Sequence, residues 1–106
     1  MSVKNEVKLC GYVGEYVRLP TRRGDPARFD ILTPDKVKTT DGQVITLQNW
    51  HTIQTDDIDF VRDHAEPRAE ILVTGRLVCR QTQAGKEVEI VAKRLEIIQT
   101  AEERRR

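Results

Sequence analysis

Asn5-Glu6-Val7-Lys8-Leu9-Cys10-Gly11-Tyr12-Val13-Gly14-Glu15-Tyr16-Val17-Arg18-Leu19 is the stretch that decides the fold. Val3, Val7, Leu9, Gly11, Val13, Val17 and Leu19 occupy odd positions, while Lys4, Glu6, Lys8 and Cys10 occupy even ones. Side chains of an extended chain alternate between two faces, so period two over residues 3–19 predicts a half-buried strand. Gly11 and Gly14 interrupt it where glycine marks a bulge or a sharp bend. A long first strand that bends midway suits a small sheet that curls on itself.

Working outward, Pro20-Thr21-Arg22-Arg23-Gly24-Asp25-Pro26 reads as a loop punctuated by two prolines and a glycine. A second strand is expected over about 27–33, with Ala27, Phe29 and Ile31 on one face. Residues 34–42 read as a polar loop ending in the turn dipeptide Asp41-Gly42. A third strand follows over 43–54, with Ile45, Leu47 and Ile53 on one parity and Val44, Thr46, Gln48, Trp50 and Thr52 on the other. Residues 56–65 switch to helical spacing through Ile58, Val61 and Ala65, with Asp56 or Asp57 as N-cap and Pro67 beyond the end. A fourth strand over 70–80 points Ile71, Val73, Gly75, Leu77 and Cys79 inward, and residues 81–86 read as a hairpin loop. The fifth strand, over 87–98, slips parity between Ala92 and Leu95, which predicts a bulge or a bend. The expected architecture is all-β: a five-stranded Greek-key barrel of the OB-fold type, with one short helix between strands 3 and 4. Closing a barrel also hides the edges of so small a sheet. One domain over residues 1–99 is expected, followed by a charged, disordered tail over 100–106.

The inventory narrows the chemistry. The 106 residues carry 18 Lys and Arg against 17 Asp and Glu, a net charge of +1, so a uniformly basic coat is excluded. No apolar run approaches the roughly 18 residues of a membrane span, and no apolar leader core precedes the first strand, so a cytoplasmic location is expected. The single serine, Ser2, leaves no serine nucleophile in the body of the chain. Two cysteines, Cys10 and Cys79, are expected as reduced core thiols. Cys10, His51, His64 and Cys79 lack the close spacings of a zinc site, so no metal or cofactor is expected. No phosphate-cradling glycine loop is present, and the chain does not read as an enzyme.

Charge is nevertheless unevenly placed. Residues 56–70 hold six acidic and two basic side chains, a net of −4, which leaves +5 elsewhere. The first inter-strand loop and its flanks supply Arg18, Arg22, Arg23 and Arg28, and the fourth strand supplies Arg76 and Arg80. A polyanion is repelled from the helix side and drawn to the sheet side, although solvated surface charge explains the same residues. Trp50 lies on a parity otherwise polar and is expected to project outward. It is either a stacking platform for a base or an anchor under a loop or in a subunit contact. Tyr12 shares the outward parity of its strand with Lys8, and Tyr16 follows at the bend. His51 falls on the apolar parity with Ile53, where an interior or interface histidine is expected. His64 suits a helix C-terminus.

In this order, three segments resemble the DNA-binding domain of bacterial single-stranded-DNA-binding proteins. Asn5-Glu6-Val7-Lys8-Leu9-Cys10-Gly11-Tyr12-Val13-Gly14 looks like the first strand of that family, Gln48-Asn49-Trp50-His51-Thr52-Ile53 like its third-strand Trp-His, and Val73-Thr74-Gly75-Arg76-Leu77-Val78-Cys79-Arg80 like its fourth strand. The resemblance spans most of residues 5–98. It implies an OB-fold, a homodimer or homotetramer, and sequence-independent binding of single-stranded DNA, or of RNA, in DNA replication, recombination or repair at the nucleoid, beside replication proteins as partners. By position it makes Trp50 a base-stacking residue, Arg80 a basic contact near the strand-four hairpin, and His51 a subunit-contact residue. With the charge pattern, the expected nucleic-acid site is Trp50, Arg22, Arg23, Arg28, Arg76, Arg80, Tyr12 and Lys8. The chain departs from the family at Thr33-Pro34-Asp35-Lys36, at Thr55-Asp56-Asp57 and over 81–86, where further aromatic residues are missing. It also ends in Glu-Glu-Arg-Arg-Arg rather than in a glycine-rich linker and an acidic tip. Two alternatives stand beside this reading: a replication-restart primosomal protein of the same fold, and an OB module that binds only protein.

Overall fold

The computed structural model describes residues 3–105. Within them lie β1 (Val7–Arg18), β2 (Ala27–Lys38), β3 (Val44–Thr55), α1 (Ile58–His64), β4 (Glu70–Thr82), β5 (Gly85–Gln99) and α2 (Ala101–Arg104). The strands close into a barrel in the order β1-β2-β3-β5-β4, with α1 between β3 and β4, the expected OB-fold arrangement. All strand pairs are antiparallel except β3–β5.

The inward parities behave as alternation requires. Val13, Phe29, Ile31, Ile53, Ile71, Val73 and Ile90 form the buried core, joined by Val61 of α1 and Ala65 just past its end. Asp57 caps α1 by accepting a hydrogen bond from the Phe60 amide at 3.1 Å, which satisfies an otherwise unpaired donor of the first turn. The bend in β1 is real: Val13 faces Ile31 and Val17 faces Phe29, so three residues of β1 lie opposite the single Asp30. The α1–β4 loop docks against this bend. Val13 donates to the Ala69 carbonyl and accepts from the Arg68 amide, both at 2.9 Å, and Arg68 is held at a φ of 78°. The parity slip in β5 is also real, because Thr74 faces Arg94 while the next residue, Gly75, faces Ala92. A side chain at Gly75 would run into the Val91 carbonyl, so this close strand approach requires glycine.

Several expectations are corrected. Residues 34–38 are not loop; β2 continues to Lys38 and pairs with β3 as far as Lys38 opposite Val44. Likewise β4 and β5 extend to a two-residue turn between Thr82 and Gly85. Both hairpins therefore outgrow the barrel as arms. Leu77 and Cys79, expected inward, lie on the β4–β5 arm and are exposed because no third layer covers them. Cys10 is exposed as well, on the outer face of β1, so neither thiol is a core residue. Leu19 lies past the end of β1 and is exposed. The tail expected to be disordered instead forms α2 over Ala101–Arg104, capped by Thr100, with Ala101 buried; Arg106 lies outside the described residues. Its charged composition hid one small apolar anchor. No helix among the described residues is long and apolar enough to cross a membrane.

Candidate nucleic-acid interface

Trp50 projects from the outer face of β3 and is 54% exposed. It sits directly opposite Leu32 of β2, and its ring lies over Gly14, where a Cβ would come within 2.7 Å of Cζ3. The second glycine of β1 thus leaves the shelf on which the indole rests. The groove beside the ring has a volume of about 540 Å³ and is bordered by Gly14, Tyr16, Asp30, Pro67 and Arg68. Two of these come from the β1 bend and two from the loop docked on it, so the bend builds the groove. Among the described non-glycine residues, Arg68 alone has positive φ, and such strain clusters at binding sites.

Below this groove the strand registers assemble a row of cations. Arg18 faces Arg28, Arg28 faces Gln54, Gln54 faces Val91, and Val91 faces Arg76. One outward row thereby crosses β1, β2, β3, β5 and β4. Glu89 restrains part of it: its carboxylate accepts from Arg80 Nη2 at 2.8 Å and pairs with Arg28 Nε at 3.4 Å. Arg28 also donates to Gln54 at 3.2 Å. Arg22 and Arg23 are exposed in the β1–β2 loop that continues from Arg18 and Arg28.

The expected site residues therefore separate into two groups. Trp50, Arg28, Arg76 and Arg80 share one outer face, with Arg22 and Arg23 at its border. Tyr12 and Lys8 lie further along β1, opposite Glu70 and Thr74 of β4, although Tyr12 also heads a row that runs through Leu32 to Trp50. Tyr12 is covered there, because the Arg104 guanidinium of α2 stacks on its ring at 3.9 Å. His51 lies on the interior parity, where Nε2 and Thr33 Oγ1 share a 2.8 Å hydrogen bond. That contact accounts for the residue within one chain. Among the described residues no group of three or more His, Cys, Asp or Glu is placed to hold a metal ion.

Sequence reasoning left out Tyr16, Arg18, Arg68 and Asp30 as site residues. Tyr16 is 60% exposed, and Arg18 packs against it with Cζ 4.8 Å from the ring centroid while donating to its hydroxyl at 2.9 Å. The available signal was Tyr16 at the bend of the decisive strand. What was missing is the size of the bulge, which alone sets Tyr16 and Arg18 beside Asp30 and Arg28.

Neither a family sequence model nor a curated protein sequence matches the chain. Its fold does match solved structures. A Plasmodium falciparum single-stranded-DNA-binding protein in complex with single-stranded DNA superposes with a TM-score of 0.77 at 19% identity, over 92% of this chain and 97% of that one. A deletion mutant of the single-stranded-DNA-binding protein of Thermus aquaticus gives 0.76 at 20% identity, over 94% of this chain and 53% of that one. A small single-stranded-DNA-binding protein of Streptomyces coelicolor gives 0.69 at 14% identity, over 91% of this chain and 95% of that one. At such identities the likeness is one of fold.

Proposed function

We propose that the chain binds single-stranded DNA with little sequence dependence, serving DNA replication, recombination or repair, and that it is a binding protein rather than an enzyme. The observation that carries this is Trp50: an exposed indole held on a glycine shelf, above an outward row of arginines, in a barrel shaped like proteins named for binding single strands. A flat ring takes any base, and guanidinium groups take the phosphates between bases. The row runs across the strands, so a single strand crossing the barrel meets the arginines and the indole on one face. We further propose a homodimer or homotetramer. Residues 7–10 of β1 pair with β4 alone, because the register with β2 begins at Tyr12. An open strand edge is a template for pairing with another strand.

Titrating Trp50 fluorescence with a mixed-sequence single strand tests the reading. Quenching that weakens steeply with salt is the expected result. Absence of quenching at low salt overturns it and favours the protein-only module, which the exposed Ile45, Leu47, Leu77 and Val88 on the two arms would serve.

A further inference from the structure

The Trp50 groove contains a carboxylate that strand binding through phosphates does not explain. Asp30 lies between Tyr16 and Trp50 and borders both the groove beside the indole and the neighbouring hollow lined by Tyr16, Arg18, Arg28 and Thr52. It is half-buried, and it accepts a hydrogen bond from the Thr52 hydroxyl at 3.3 Å. Asp30 faces Thr52 while Leu32 faces Trp50, so Asp30 is the diagonal neighbour of the tryptophan on one sheet face. Such neighbours are about 7–8 Å apart, within the span of a base laid on an indole. The β1 bulge fixes the carboxylate there, since the three residues of β1 that skirt it leave Asp30 without a direct partner on that side.

A carboxylate only accepts hydrogen bonds, and it repels phosphate. Its complement on a stacked base is an amino group: the cytosine N4 amino group donates, whereas the corresponding position of thymine is a carbonyl that also accepts. We propose that Asp30 makes the Trp50 groove a base-selective subsite that accepts cytosine and disfavours thymine, within an otherwise sequence-tolerant surface. This rests on the single-strand reading above and adds a specificity residue to it. Arg68 lines the groove and Arg18, held against Tyr16, lines the neighbouring hollow, so Asp30 reads the base while its cationic neighbours hold the backbone.

The test compares short oligo(dC), oligo(dT) and oligo(dC) carrying N4,N4-dimethylcytosine by Trp50 fluorescence. The strands are short enough to occupy one groove, and mildly alkaline pH keeps cytosine unprotonated. The native protein is expected to bind oligo(dC) on the order of tenfold more tightly than oligo(dT), the scale of one hydrogen bond to a charged group. The dimethylated strand should lose that advantage, and this arm needs no variant. Asp30→Asn, whose amide can serve either base, should bring oligo(dC) and oligo(dT) to within about twofold of each other, again on the scale of a lost charged hydrogen bond. Asp63→Asn, on the exposed side of α1 and outside the groove, should leave the discrimination intact. Equal binding of the two native strands overturns the proposal. So does an Asp30→Asn variant that gains equally on both, which marks Asp30 as a phosphate repeller alone. Failure of every strand to quench overturns the single-strand reading itself, and is thereby distinguishable.

Discussion

Trp50 and Gly14 form one packed unit at the level of the residue. The indole is exposed, so Trp50→Ala should leave folding nearly intact while removing about 1–3 kcal/mol per stacked base. Measuring strand affinity and subunit mass on the same sample separates stacking from an interface role, because an interface anchor would dissociate the assembly instead. Gly14→Ala probes the shelf. The new methyl meets Cζ3 at 2.7 Å, so the ring must tilt, and the emission of Trp50 should shift while the cooperative melt is retained. Cys10 offers an independent check on the outer face of β1. Partial desolvation first, even at this exposed position, and then the Glu70 carboxylate that its thiol approaches at 3.5 Å, raise its pKa above the ordinary thiol value. The thiolate is the reactive form, so the raised pKa displaces Cys10 alkylation to higher pH. In a Cys79→Ser background, Glu70→Gln should accelerate that alkylation at neutral pH; an unchanged rate would mean that the carboxylate has no influence there.

Among the elements, the two arms and α2 carry what the barrel does not. Glu89 on β5 holds Arg28 and Arg80 together across three strands. If these arginines serve phosphate, Glu89 competes with the strand for them. Glu89→Gln should therefore raise affinity at low salt and steepen the logarithmic salt dependence by about 0.7 for each arginine released. A flatter slope would show that the cluster is only structural. The β1–β2 loop makes the converse case: neutralising Arg22 and Arg23 together should weaken all sequences alike and flatten the slope by up to about 1.4 on the same scale. The tip of the β2–β3 arm depends on Gly42, whose φ of 86° disfavours any side chain. Gly42→Ala should cost roughly 1 kcal/mol and speed amide exchange along the arm before the barrel opens.

For the molecule as a whole, the neutral total conceals a polar arrangement. The acidic stretch over residues 56–70 covers α1 at one end of the barrel, while Arg18, Arg28 and Arg76 share one row on its wall. Association with a polyanion should thus be orientation-specific and strongly salt-dependent in spite of a net charge of +1. The open edge of β1 and the apolar side chains of the arms lead us to expect an oligomer at tens of micromolar, a working scale for weak association. Sedimentation equilibrium checks this, and a clean monomer there would remove the dimer and tetramer alike.

The sequence by itself determined the succession of elements along the chain, a helix capped by one of two aspartates, the bend of β1, the parity slip of β5 and the outward aim of Trp50. Each follows from alternation, turn chemistry or capping, which act over a few neighbours and so are written in local spacing. Only the tertiary structure decided which outward residues belong together. Tyr12 and Trp50 share an outward parity and even a row across β1, β2 and β3, yet α2 covers one and leaves the other open. Leu77 and Cys79 keep the interior parity but lie on an arm with nothing above it, because parity gives a direction and not the extent of the core. Arg18, Arg28 and Arg76 come from three different strands and fall on one row through register, while Asp30 enters the groove through a bulge. Register is set by pairing across the whole sheet, and a local pattern does not contain it.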